Sequence, residues 1–149
     1  MPTKIDLQND ECLTDLPARH DLEAWVNAAL MQSYAGLEQT IRVVGEAESR
    51  ALNSQYRQKD TPTNVLSFTS ENEYLDCDCL GDLVICAPIV GLEAKQQGKS
   101  LEAHWAHMVV HGMLHLQGYD HQNEIDADKM ESQEIKILAT LGYTNPYNN

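Results

Sequence analysis

No stretch of the 149-residue chain carries about 18 consecutive apolar residues, so no transmembrane helix is expected. The opening residues, Met1 to Gln8, lack the basic-then-apolar pattern of a secretory leader. Together these absences set the expectation of a soluble, cytoplasmic protein. Cysteine is sparse, with four residues at positions 12, 77, 79 and 86. Cys77 and Cys79 form C-x-C rather than C-x-x-C, and no second pair completes a four-thiolate metal cage. Cys86 ends an apolar run and reads as a small core residue. All four are expected to be reduced thiols of a reducing compartment. Positive charge is scarce as well: 10 Lys and Arg stand against 23 Asp and Glu, a net charge of −13. Such a balance counts against a nucleic-acid partner at face value. No internal repeat or long linker divides the chain, and residues 1–149 are expected to form one domain.

The charges are unevenly spread. Glu124, Asp126, Asp128, Glu131 and Glu134 follow His121, whereas Arg42, Arg50, Arg57, Lys59, Lys95 and Lys99 lie in the middle of the chain. A bound divalent cation would make one cleft locally positive. The overall charge thus lowers the expectation of RNA or DNA binding without excluding it.

Hydrophobic patterning gives a mixed set of elements. Lys4 to Gln8 alternate as a strand, and Leu22, Trp25, Val26, Ala29 and Leu30 recur at helical spacing between Asp21, the expected N-cap, and Tyr34. Ile41 to Val44 reads as a strand and Glu46 to Tyr56 as a helix. A turn-rich break at Lys59–Thr63 precedes a strand over Asn64–Phe68, and the acidic segment Thr69–Asp78 reads as an exposed loop. Leu80–Cys86 is the next strand. Helices follow from Pro88 to Gln97, stopped by Gly98, from Ser100 as cap through Leu116, and from Asp126 to Leu141, stopped by Gly142. Strands and helices do not alternate strictly. The expectation is therefore an α+β fold, a small mixed sheet of about four strands packed with helices.

The densest chemistry lies in His111-Gly112-Met113-Leu114-His115-Leu116-Gln117-Gly118-Tyr119-Asp120-His121. Two histidines four apart share one side of a helix, Gly118 suits a left-handed chain reversal, and His121 follows that reversal. Three neutral imidazoles converging on one point, with a fourth position open, describe a catalytic rather than a structural zinc site. On a helical wheel His104, His107, His111 and His115 all fall within about 80°. Their helix is otherwise apolar nearly all round, as a buried helix is. The bland alternative is a set of core histidines bonded to carbonyls or carboxylates, since a buried imidazole needs a partner. Both His107/His111 and His111/His115 qualify as an i, i+4 ligand pair. The second lies nearer the reversal that brings back His121. His111, His115 and His121 are accordingly the expected ligands, with His107 supporting or structural. Three imidazoles accept nickel, copper or iron as well as zinc.

The spacing H-x-x-x-H-x-x-G-x-x-H also matches the metzincin peptidases. Those enzymes place a glutamate general base directly after the first histidine, and here that residue is Gly112. The full motif from His111 to His121 instead resembles the signature of the YbeY family of metal-dependent endoribonucleases. Further blocks extend the resemblance: Leu52-Asn53-x-x-Tyr56-Arg57-x-x-Asp60-x-Pro62-Thr63-Asn64-Val65-Leu66-Ser67-Phe68, then Leu80-Gly81-Asp82-Leu83-Val84-Ile85, then Leu138-Ala139-x-Leu141-Gly142-Tyr143. It runs from about residue 50 to 143, and the N-terminal third adds little.

The resemblance implies an α+β fold with the histidine helix packed beneath the sheet, and cleavage of single-stranded RNA. It further implies maturation of the 16S ribosomal RNA 3′ end and late quality control of 70S ribosomes, so that ribosomes or ribosomal proteins are partners and DNA is not. It assigns a zinc ion to His111, His115 and His121, and a catalytic cleft arginine to Arg57. A planar, always-charged guanidinium suits phosphate, whereas the ordinary alternative for Arg57 is a surface salt bridge. Lys59, Lys95 and Lys99 are candidate guides for an RNA backbone. Asp120, beside His121, could orient a ligand or serve only a turn. Two other functions compete: a zinc peptidase-like hydrolase, and a metal-stabilised ribosome-associated factor with no hydrolytic activity.

Overall fold

The computed structural model of the chain describes residues 3–31, 38–69, 79–119 and 123–147. Its elements run β1 (Ile5–Gln8), α1 (Arg19–Ala29), β2 (Glu38–Val44), α2 (Glu46–Arg57), β3 (Val65–Thr69), β4 (Cys79–Cys86), α3 (Ala87–Gln97), α4 (Leu101–Leu116) and α5 (Glu124–Thr140). The four strands form one mixed sheet in the order β1-β2-β4-β3. β1 and β2 pair in parallel, as do β2 and β4, while β3 is antiparallel to β4. This is the α+β fold that the uneven alternation of elements implies. No helix among the described residues is long and apolar enough to cross a membrane.

Strand alternation gives the sheet two different faces. Ile41, Val43, Leu83 and Ile85 join the main core with Trp105, Val109, Val110 and Met113 of α4. Their neighbours Val44, Val84 and Cys86 join Leu66 in a smaller cluster that Leu52 and Phe68 cover. Period-two alternation on the strands thus splits the apolar residues between two layers. The histidine helix α4 lies at the middle of the larger one, with Trp105, Ala106, Val109, Val110 and Met113 at 0–1% exposure. Burial on that scale explains why its apolar residues run almost all round, since it also touches α1, α3 and α5.

Local signals set the ends of α4. Ser100 caps it by accepting a hydrogen bond from the Ala103 N–H. Beyond Leu116, Gly118 takes φ +101° and lets the Tyr119 N–H reach back to the Leu114 carbonyl at 3.0 Å. The buried Gln117 fastens this end to α1: its amide donates to the carbonyls of Ala29 and Met113 and accepts from the Met31 N–H. The mouth of the site is therefore built on a doubly tied helix terminus.

Boundaries differ from the sequence pattern in a few places. α1 begins at Arg19 after Ala18, with no side-chain cap, so Asp21 is not the N-cap. It lies in the first turn, where its charge favours the helix dipole instead. α1 ends at Ala29, and residues 32–34 of the longer expected helix lie outside the described residues, as do 70–78 of the expected acidic loop, including Cys77. α5 starts two residues earlier than expected because Asn123 caps it through the Asp126 N–H.

Candidate metal centre

The four histidines of α4 form one continuous stripe, with successive ring centroids 6.1, 6.3 and 4.6 Å apart. Their partners divide them. His104 is 2% exposed, and its Nε2–H donates to Glu93 Oε1 at 2.9 Å. Asn64 donates to the same carboxylate, tying the start of β3 to α3 and α4. Burial pushes the His104 pKa below its ordinary value, against the opposing pull of Glu93. His104 is thus a core histidine of the bland alternative, bonded through Nε2 to a carboxylate, while its buried Nδ1 has no hydrogen-bond partner among the described residues.

His107, His111 and Glu134 come together around a carboxylate that is 0% exposed. The His111 Nδ1–H donates to Glu134 Oε1, the His107 Nε2–H donates to Oε2 at 3.4 Å, and the Tyr147 hydroxyl also donates to Oε2. Burial alone would raise the Glu134 pKa, but the hydrogen bonds from His107 and His111, with that from Tyr147, hold it down to about 2. The Tyr147 hydroxyl is raised above its usual range, first by burial and then by Glu134.

The other nitrogen of His111 faces His115. Their two Nε2 atoms stand 3.1 Å apart. Two imidazoles sharing a metal at about 2.0–2.1 Å each, at a tetrahedral angle, hold their nitrogens roughly 3.4 Å apart. The observed separation is close to that value, so the donor pair fits a shared divalent ion. Among the described residues two donor groupings thus exist around α4, and His111 belongs to both. One is the His107, His111 and Glu134 group, whose ligating atoms all lie within 4.8 Å of one another. The other is the His111/His115 pair, which opens on a cleft. His121 and Asp120 lie outside the described residues.

That cleft has a volume of about 750 Å³, and Arg57, Lys59, Ser67, His111, His115 and Tyr119 line it. Arg57 ends α2, and its Nη2 donates to the Ser67 carbonyl at 3.2 Å. Among the described residues no carboxylate pairs with it, which separates it from Arg42, bound to Glu48, and Arg50, bound to Asp60. The turn after α2 is held in shape by Asn53, donating to the Thr61 carbonyl at 2.8 Å, and by Ser49, donating to the Thr63 carbonyl at 2.9 Å. Lys59 shares the cleft. Lys95 and Lys99 do not: they line a separate groove with Leu13 and Pro88, and the Lys99 ammonium donates to the Pro146 carbonyl. The structure gives those two lysines no place along the cleft.

Gly112 takes no part in the donor set. A Cβ there would stand 2.6 Å from Leu83 Cδ2 and 3.3 Å from Val65 Cγ2. Its position therefore points at β3 and β4, where a larger side chain would have to displace Leu83 and press on Val65. This geometry removes the base that a peptidase of metzincin type requires.

Glu134 and Tyr147 escape a reading of the sequence, in which Glu134 counts only as one of several late acids. A signal was present. Met130, Glu134 and Leu138 recur every fourth residue and are the buried residues of α5, placing one acid on its apolar face. Tyr147 carries no comparable periodic mark.

The family model described as Endoribonuclease YbeY matches residues 5–142. An endoribonuclease YbeY of Pseudomonas putida (strain W619) is 53% identical over 148 residues, covering 97% of this chain and 92% of the relative. Another, of Stutzerimonas stutzeri (strain A1501), is 53% identical over 133 residues, covering 88% and 83%. A Thermotoga maritima protein whose solution structure is known aligns over 99% of both chains, with a TM-score of 0.52 and 25% identity.

Proposed function

The chain belongs to the YbeY family of endoribonucleases, and we propose that it is a metal-dependent ribonuclease specific for single strands. Cleavage of RNA is the activity the family supports. The finer proposal is that it acts in maturation of the 16S ribosomal RNA 3′ end and in late 70S ribosome quality control, with ribosomes as partners and the cytoplasm as its place of work.

One observation carries the catalytic reading: the Nε2 atoms of His111 and His115, 3.1 Å apart, open on the same cleft as Arg57, which has no carboxylate partner among the described residues. The proposed metal ligands are His111, His115 and His121. Glu134 is the weaker direct ligand, because its oxygens already accept from His107, His111 and Tyr147 and are sealed from solvent. Zinc is the proposed ion, with nickel as an accepted substitute. When bound, it supplies Lewis-acid polarisation of a phosphoryl oxygen and brings the pKa of a water to about 7.

The chain's own residues then have separate tasks. His111 and His115 hold lone pairs toward the cleft. Arg57 meets the phosphate with a charged, planar donor set, oriented by its hydrogen bond to the Ser67 carbonyl. Lys59 adds a second positive charge to the cleft of a protein whose net charge is −13. Local charge thus opposes global charge where a phosphodiester would lie.

The test uses zinc-reconstituted protein incubated with single-stranded RNA and, separately, with casein. The proposal predicts cut RNA, intact casein, and loss of RNA cleavage in His115→Ala and Arg57→Ala. Casein cleavage alone would replace it with the peptidase reading. Zinc binding without cleavage of either substrate would favour a metal-stabilised ribosome-associated factor.

A further inference from the structure

The ring of His111 is held at both nitrogens, and the two sides do different work. Nε2 opens on the cleft beside His115, whereas Nδ1–H is bonded to Glu134 behind the helix. A carboxylate that accepts from Nδ1–H fixes the ring's tautomer, leaves the lone pair on Nε2 and raises its basicity. Glu134 in turn is fixed by a residue from the end of the chain. Tyr147 is 44% exposed, yet its hydroxyl reaches inward to Glu134 Oε2, and its ring meets His107 edge-on at 5.4 Å and 86°. The segment carrying Tyr147 is fastened beside it by the Lys99 ammonium on the Pro146 carbonyl at 2.8 Å.

We propose that Glu134 and Tyr147 are positioning residues for the metal site, fixing the Nδ1–H tautomer of His111 and aiming its Nε2 into the cleft. The inference rests on the reading of His111 as a metal ligand. It adds to that reading a chain of contacts from the C-terminal segment, through a sealed carboxylate, to one ligand. Tyr147 also contacts His107, and it reaches the ligand His111 through Glu134. Removing its hydroxyl leaves Glu134 Oε2 with a weaker hold and loosens the ring behind the ligand. Removing the charge of Glu134 releases the tautomer itself.

The experiment uses the full chain, stripped of metal and labelled with ¹⁵N at histidine, and follows the ring nitrogens as zinc is added. Zinc affinity is measured in parallel by competition with a chromophoric chelator, for the natural chain, Glu134→Gln, Tyr147→Phe and His115→Ala. In metal-free natural protein, His111 should show a protonated Nδ1, and zinc should move Nε2 while Nδ1 keeps its proton. Glu134→Gln should bind zinc about 10–100-fold more weakly, the range set by loss of a ligand's supporting carboxylate. Tyr147→Phe, which keeps the ring and its packing, should weaken it by a smaller factor and shift the His111 nitrogens in the same direction. A general loss of folding would lower affinity without a selective change at His111, and that result would overturn the proposal. So would zinc moving Nδ1 instead of Nε2, or both variants binding within about twofold of the natural chain while His115→Ala fails to bind. If zinc leaves the rings of both His111 and His115 unmoved, the metal reading fails and the inference falls with it.

Discussion

The Ser67 hydroxyl donates to the Gly112 carbonyl at 3.2 Å, joining the edge strand β3 to the histidine helix α4. The carbonyl of the same serine accepts from Arg57. One residue therefore bonds both to the Arg57 guanidinium and to the helix that carries the imidazoles of His111 and His115. The closeness of strand and helix at this seam depends on Gly112, which has no side chain to hold them apart. The residue that denies the chain a peptidase base is also the one that lets the cleft form.

Gly112→Glu should therefore fail on two counts. Its side chain would have to displace Leu83 and Val65 and bury a carboxylate against them. The expected loss is about 3 kcal/mol or more, in the range of a buried, unpaired charge. Urea unfolding followed by circular dichroism measures it, and casein should remain uncut by whatever folded protein is recovered.

Arg57→Ala should separate catalysis from folding. Its side chain is exposed and, among the described residues, its one side-chain hydrogen bond is to the Ser67 carbonyl, so stability should change by no more than about 0.5 kcal/mol. Cleavage of RNA should fall by about 10²–10³, the usual effect of deleting one preorganised donor to developing charge. Zinc binding should be retained. Arg57→Lys should recover only part of the rate, because an ammonium lacks the planar fork.

How much of this was legible in the chain itself follows from the range of each interaction. Spacing along α4 placed the four histidines on one stripe, and Ser100 and Gly118 behave as local sequence signals do. The pairing of Arg57 with Ser67 joins elements only ten residues apart, but nothing in the local pattern marks which atoms meet. Glu134 reaches His111 across 23 residues, and Tyr147 reaches His107 across 40. Those contacts depend on how α5 and the C-terminal segment pack on α4, which no local periodicity specifies. Asp21 shows the opposite error: a good capping residue lies in the first turn of a helix whose observed N-cap, Ala18, stands three residues earlier.

Stability should fall with acid in a window set by His104. Burial lowers its folded pKa below the unfolded value of 6.5, so the unfolded chain binds the proton more readily. The contribution of the neutral, buried ring is complete above pH 6.5 and is lost as pH falls through that value toward the folded pKa. Urea midpoints should decline between pH 7.5 and 5.5. In His104→Gln the decline should be shallower, and an unchanged slope would remove His104 as its source.

Chelation of metal should lower the unfolding temperature, and zinc should restore it. A ligand at 100 times its Kd adds about 2.7 kcal/mol to the folded state when it does not bind the unfolded chain. His115→Ala should unfold at the same temperature with and without zinc. Differential scanning fluorimetry reads both.

The most direct measurement is cleavage of a labelled single-stranded RNA by metal-stripped protein before and after addition of zinc, run beside His115→Ala prepared in the same way. Zinc-dependent cleavage by the natural chain and none by the variant is the predicted result. Equal cleavage by the two would contradict the assignment, because it would place the activity outside the His111 and His115 cleft.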